Sequence, residues 1–199
     1  MRTILTVAGT HGYDDPWRRK DSPLCRHLVS SGVAIEDGVG WSTDLGGVGF
    51  GSSDLRGWEA AGVNLDHFVV PPRCPDLRIP GDDLVFLCHS HGLQPCLFAC
   101  ARGVKVDTLV SVCSPVREDL MQIARLARPN IRRWIYIHGG RRDRWGWLGA
   151  LFDGHIGIRR AHPLADENIA CPEADHNDPL TVEALFPLIG RAVLPALTV

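Results

Sequence analysis

The sequence predicts a three-layer α/β domain, in which a mostly parallel sheet carries helices on both faces. Short apolar runs rich in β-branched residues alternate along the chain with stretches whose apolar residues recur every three or four positions. Parallel strands need crossover connections between them, so this alternation favours right-handed βαβ units. The 199 residues contain no repeat, low-complexity tract or linker. We therefore expect a single domain over residues 1–199.

The first half of the chain supplies the first units of this alternation. Residues 3–8 predict a buried strand, and Ser22 predicts the start of a helix because it precedes a proline at the first helical position. Residues 33–41 predict a second, interrupted strand. A glycine-rich loop at residues 46–51 follows, and Asp54 is placed to cap another helix.

The second half continues in the same way. Apolar runs predict three further strands, at residues 104–112, 133–137 and 168–171. Helical spacing predicts a helix over residues 117–128 and a closing helix over residues 182–197, bent at Pro187.

Residues 84–92 carry the motif on which the functional interpretation depends. Residues 84–88 predict a strand buried on both faces, and helical spacing begins after Gly92. Ser90 lies at the turn between them, which is the arrangement of a nucleophile elbow. The strained turn requires small residues two positions before and after the serine. Gly92 meets this need, whereas Cys88 replaces the usual glycine.

A serine hydroxyl becomes an effective nucleophile when an imidazole takes its proton and an acid fixes the tautomer of that imidazole. In an α/β sheet these groups lie beyond the carboxyl ends of strands, in the chain order serine, acid, histidine. Asp143 directly follows a predicted strand and is the leading choice for the acid, with Asp153 and Asp166 as the alternatives. His176 lies between the last strand and the last helix and is the predicted base.

An oxyanion hole needs two backbone N–H donors. His91, the residue after the serine, would supply one, and the loop after the first strand would supply the other from Thr10, or alternatively from His11. His11, Trp145 and Trp147 are also predicted to contact substrate. The segment around the two tryptophans is interpreted equally well as a lid or acyl-chain wall and as a short helix packed on the core.

Composition excludes several classes of function. The net charge of −2 gives no electrostatic reason to expect nucleic acid as a partner. No segment approaches the ~20 apolar residues of a membrane span. The seven cysteines lack the spacing of a disulfide framework, which favours reduced thiols and a cytoplasmic location.

His89 and His91 could together bind a metal, but a simpler interpretation is favoured. Cys96 and Cys100 lie on the apolar face of a predicted helix, where thiols act as small hydrophobes, and the sequence contains no C-x-x-C pair. The sequence therefore predicts neither a metal nor an organic cofactor.

Five segments together resemble the small α/β-hydrolase-fold lipases and esterases, including hydrolases of this size from bacteria and phages: residues 7–12, 88–92, 110–115, 140–143 and 175–177. The resemblance extends from Thr3 to about Leu188. It implies a sheet that lacks the first two strands of the full fold, and hydrolysis of a small-molecule or lipid-like carboxylic ester through an acyl-enzyme on Ser90. The alternatives are a thioesterase or amidase with the same triad, and a non-catalytic binding protein of the same fold.

Overall fold

The computed structural model describes residues 2–7, 9, 16–36, 59, 84–139, 143 and 161–194. Within these residues a six-stranded, fully parallel sheet has the strand order β2-β1-β3-β4-β5-β6. The strands are β1 (Thr3–Val7), β2 (Ala34–Glu36), β3 (Leu84–His89), β4 (Val106–Val112), β5 (Ile131–Gly139) and β6 (Glu167–Cys171). The helices are α1 (Pro23–Ser30), α2 (Leu93–Ala101), α3 (Met121–Ala127), α4 (Asp178–Thr181) and α5 (Phe186–Val193). No helix in the described part of the chain is long and apolar enough to cross a membrane.

Alternate residues along the strands face opposite layers of helices, as the two-residue period of a strand requires. On β3, Leu84, Phe86 and Cys88 join a core with α2 and α3, whereas Val85 and Leu87 join a second core with α1 and α5. The central strand is therefore buried on both sides. This arrangement confirms the predicted three-layer α/β class with helices on both faces of the sheet.

The predicted start of α1 is confirmed in atomic detail. The Ser22 hydroxyl accepts a hydrogen bond from the Cys25 backbone N–H at 3.0 Å and donates one to the Trp17 carbonyl oxygen at 2.8 Å. The cap satisfies one of the N–H groups that a helix start leaves unpaired.

Two predicted helices differ from those observed. The helix predicted over residues 117–128 is shorter, because α3 covers only Met121–Ala127. The continuous closing helix over residues 182–197 is wrong: α5 begins at Phe186, after a separate 3₁₀ turn. Pro187 lies in the first turn of α5, where its missing N–H costs no hydrogen bond, so it starts the helix and does not bend it. The loop at 46–51 and the helix at Asp54 lie outside the described residues.

Because all six strands are parallel, their carboxyl ends lie along one edge of the sheet. The register pairs Val7 with Cys88, His89 with Val112, and Gly139 with Cys171. The segments that follow these strands therefore begin side by side at this edge. It is the edge at which open α/β sheets bind their ligands.

Candidate active site

Ser90 begins the turn between β3 and α2. Its φ of +52° lies in the left-handed region, which costs an L-residue roughly 1–2 kcal/mol. The turn is a single 3₁₀ turn, Ser90–Gly92, and its serine is partly exposed. The strand, turn and helix predicted around this serine are thus all present, and the serine itself has the unfavourable backbone conformation.

Gly9, two residues beyond the end of β1, lies directly against this serine. A Cβ atom on Gly9 would lie 2.7 Å from the Ser90 Cβ, 3.2 Å from the His89 carbonyl oxygen and 3.3 Å from the Ser90 Oγ. No side chain fits at that separation, so the close approach of the two loops requires glycine. Thr10 and His11, the predicted oxyanion and substrate contacts in this loop, lie outside the described residues.

Asp143 and His176 are in contact. The His176 Nδ1 lies 3.2 Å from both carboxylate oxygens of Asp143. The carboxylate is fully buried and the histidine is 7% exposed. Since a carboxylate only accepts hydrogen bonds, Nδ1 carries the proton and the Nε2 lone pair remains available. A buried imidazole held in this tautomer has the form of a general base.

The position of Asp143 depends on Gly139, the last residue of β5. A Cβ atom on Gly139 would lie 3.1 Å from both the Cβ and the Oδ2 of Asp143, tighter than ordinary packing. The absence of a side chain lets the chain fold back and bring the carboxylate over the end of its own strand.

Of the two alternative acids, Asp166 and Asp153, the structure describes Asp166. Asp166 accepts a hydrogen bond from the Trp134 backbone N–H at 2.7 Å and forms an ion pair with Arg128. These contacts place it just before the start of β6, at the opposite end of the sheet from the carboxyl ends of the strands. Asp153 lies outside the described residues.

His89, the last residue of β3, holds the backbone of His176. Its Nε2 donates to the His176 carbonyl oxygen at 3.1 Å, and the two ring centroids are 4.5 Å apart. Burial lowers the pKa of His89 to about 3, with the neighbouring His176 and His91 adding to the shift. His89 is therefore neutral, and its Nδ1 has no hydrogen-bond partner in the described structure. No pattern in the sequence predicts this contact.

Cys113, the residue after β4, is a further member of this group that sequence reasoning missed. Its sulfur, an Asp143 oxygen and a His176 nitrogen all lie within 4.8 Å of one another. Burial raises the pKa of the Cys113 thiol well above its ordinary range, and the Asp143 carboxylate adds to the rise. The available signal was its position directly after a strand, at the same edge as Ser90.

Of the remaining predicted site residues, the structure describes His91. His91 follows Ser90 in the turn and is partly exposed. Trp145 and Trp147, the predicted lid or acyl-chain wall, lie outside the described residues.

Three solved structures resemble this fold. An acetyl ester-xyloside bifunctional hydrolase from Caldicellulosiruptor lactoaceticus is 14% identical, with a TM-score of 0.50 over 96% of this chain and 81% of that one. The esterase Pf2001 from Pyrococcus furiosus is also 14% identical, with a TM-score of 0.51 over 96% and 82%. An esterase domain from Rhodothermus marinus, 16% identical, has a TM-score of 0.48 over 97% and 88%. No protein-family model and no curated protein matches the sequence. At these identities the likeness concerns the fold alone, and that fold is the three-layer α/β-hydrolase type.

Proposed function

We propose that this chain is a serine hydrolase that cleaves carboxylic esters. The Ser90 Oγ attacks the ester carbonyl while the His176 Nε2 takes its proton, and the resulting oxyanion is held by the backbone N–H groups of Thr10 and His91. The carbonyl re-forms as the alcohol departs with the proton from His176, which leaves an acyl group on Ser90. Water then attacks the acyl group by the same route, releasing the acid and restoring the serine.

The observation that carries this proposal is the Asp143–His176 contact, 3.2 Å between Nδ1 and each carboxylate oxygen. Ser90, Asp143 and His176 occur in the chain order serine, acid, histidine. Each of the three follows a different strand of the parallel sheet. Ser90 is the residue after His89, whose ring touches His176. A strained serine and a buried acid–histidine pair are thereby brought to the same edge of the sheet.

The structurally similar proteins give further support, since the two with TM-scores of at least 0.50 are an acetyl ester-xyloside bifunctional hydrolase and an esterase. We also propose a small-molecule or lipid-like ester as substrate, with contacts from His11, Trp145 and Trp147. A cytoplasmic location is proposed because the six cysteines in the described residues are all free thiols.

The test compares hydrolysis of short- and medium-chain p-nitrophenyl esters by the wild type and Ser90→Ala. Ser31→Ala, at the exposed end of α1, is the matched control because it removes a serine remote from the site. We expect Ser90→Ala to lose at least about 10³-fold in kcat and Ser31→Ala to match the wild type. A fluorophosphonate probe should label Ser90, identified by mass spectrometry of the digested protein.

The alternatives give different results in the same experiment. A thioesterase or amidase would label at Ser90 but prefer an acyl thioester or a p-nitroanilide over the matching ester. A protein that turns over none of these substrates and takes no label would be a non-catalytic member of the fold. That outcome would remove the hydrolase proposal.

A further inference from the structure

We propose that Cys113, Asp143 and His176 form an inhibitory binding site for Zn²⁺ or a similar thiophilic divalent cation. The inhibitory effect rests on the proposed hydrolase function, whereas the binding itself does not. Thiolate, carboxylate and imidazole are the three protein ligand types that zinc accepts. Cys113 would lose its thiol proton to solvent as the metal–sulfur bond forms. Here one of each is supplied from the ends of β4, β5 and β6.

The distances suit a tetrahedral cation. Zinc binds nitrogen and oxygen at about 2.0–2.2 Å, which separates two such ligand atoms by about 3.3 Å. The His176 Nδ1 and the Asp143 oxygens are already 3.2 Å apart. A zinc–sulfur bond of about 2.3 Å would bring the Cys113 sulfur to about 3.6 Å from the nitrogen. Because the three atoms lie within 4.8 Å of one another, side-chain movements of about 1 Å complete the set.

Cys113 also has an unusual backbone conformation, which is an observation independent of these distances. Among the described residues, Ser90 and Cys113 are the two non-glycine residues with positive φ, +52° and +48°. Such strain persists where the surroundings impose it, and it is concentrated at functional sites. The Cys113 backbone N–H continues the sheet ladder by donating to the Ile137 carbonyl oxygen at 2.8 Å, so the sulfur is held at the edge of the sheet.

A cation bound at the His176 Nδ1 would inactivate the proposed base by changing its tautomer. Without a cation the Nδ1 proton faces Asp143, which leaves the lone pair of the neutral ring on Nε2. A neutral imidazole that uses Nδ1 for the metal must carry its proton on Nε2, where it can no longer accept the Ser90 proton. The Asp143 carboxylate would turn from orienting the histidine to binding the cation. One bound ion would thus disable both proposed partners of the serine.

The binding experiment uses Cd²⁺, because its bond to thiolate gives an ultraviolet charge-transfer absorption that requires no enzymatic activity. We expect one Cd²⁺ per chain in the wild type and in Ser90→Ala. Cys113→Ser should weaken binding by at least about tenfold. The matched control is Cys25→Ser, which changes a buried thiol of α1 that contacts the Trp17 carbonyl oxygen, and it should bind as the wild type does.

His176→Gln supplies a second ligand variant in case Cys113→Ser fails to fold, and it should weaken Cd²⁺ binding as well. Absorption that is absent in the wild type, or unchanged in both ligand variants, would overturn the proposal. In activity assays, Zn²⁺ should inhibit the wild type reversibly, with recovery on adding EDTA, and inhibit Cys113→Ser at least about tenfold less. If Cd²⁺ binds through Cys113 but no ester is cleaved, the hydrolase proposal fails and the metal site stands.

Discussion

His89 and His176 are joined by a hydrogen bond from the side chain of the first to the main chain of the second, with 3.1 Å between Nε2 and the carbonyl oxygen. The bond connects β3, whose last residue directly precedes Ser90, with the loop that carries the proposed base. His89 is neutral, since burial lowers its pKa to about 3, so it supplies this donor without placing a positive charge beside His176. It fixes the backbone from which the imidazole projects.

This contact predicts that His89 positions the proposed base. His89→Leu removes the donor, and we expect kcat to fall about 10- to 100-fold with little change in KM, because a small displacement of the base has a large effect on rate. His89→Gln places an amide N–H near the Nε2 position and should restore most of the lost rate. If both variants lose the same rate, the hydrogen bond has no such role.

The acid can be identified by comparing Asp143→Asn with Asp166→Asn. The first removes the carboxylate that fixes the His176 tautomer, so kcat should fall about 10³- to 10⁴-fold. The second changes a carboxylate whose partners are Trp134 and Arg128, so it should affect stability while kcat stays within about twofold. Steady-state kinetics with a p-nitrophenyl ester distinguishes the two. A large loss in the Asp166 variant would contradict the assignment.

Gly9 should tolerate no side chain. In Gly9→Ala the new Cβ would approach the Ser90 Cβ to 2.7 Å, and neither atom can rotate away. We expect a destabilisation of about 1–3 kcal/mol, measured by urea unfolding, together with at least about a tenfold loss of kcat. Gly190→Ala in α5 is the control, since its Cβ would meet its nearest neighbour at an ordinary 3.5 Å. That variant should be neutral or up to about 1 kcal/mol more stable.

Strain at Ser90 predicts that glycine is more stable than alanine at this position. Ser90→Gly relieves a left-handed conformation that costs roughly 1–2 kcal/mol, while glycine loses about 0.5–1 kcal/mol more chain entropy on folding. The variant should therefore be about 0.5–1 kcal/mol more stable than Ser90→Ala, which keeps the strain. Urea unfolding measures the difference, and equal stability would show that the strain is no larger than the entropy cost of glycine, about 0.5–1 kcal/mol.

The acid sensitivity of the fold should depend partly on His162. This histidine packs against Trp134 at a ring-centroid distance of 4.2 Å, and burial lowers its pKa from 6.5 to about 4. Between those values the unfolded chain binds a proton that the native state does not, so stability is lost as the pH falls below 6.5. From about pH 7 to pH 5 this contribution is about 2 kcal/mol.

His162→Asn should remove that contribution, because its side-chain oxygen can accept from the Leu164 N–H as Nδ1 does but does not titrate in this range. Unfolding free energies measured at several pH values check the difference. His89 contributes a slope of the same sign in both proteins, so the comparison of the two isolates His162. An unchanged slope in the variant would contradict the assignment.

The sequence by itself determined the layered α/β class and the location of most strands, because apolar runs and helical spacing are local consequences of burial. It also predicted Ser90, Asp143 and His176 as a set, since chain order and strand ends are visible in one dimension, and the structure brings Asp143 and His176 into contact. Element ends were less well determined. Pro187 is compatible with both a bend and a helix start, and only the packing of α5 on the sheet distinguished them.

The tertiary structure decided which groups touch. Cys113 meets Asp143 and His176 because β4, β5 and β6 end side by side, although 63 positions separate the cysteine from the histidine (113 to 176). The bond from His89 to His176 and the approach of Gly9 to Ser90 likewise join segments far apart in the chain. Such contacts depend on strand order and register, which no local pattern of residues encodes. Periodicity therefore reveals what is buried, whereas adjacency at the edge of the sheet is a property of the folded chain.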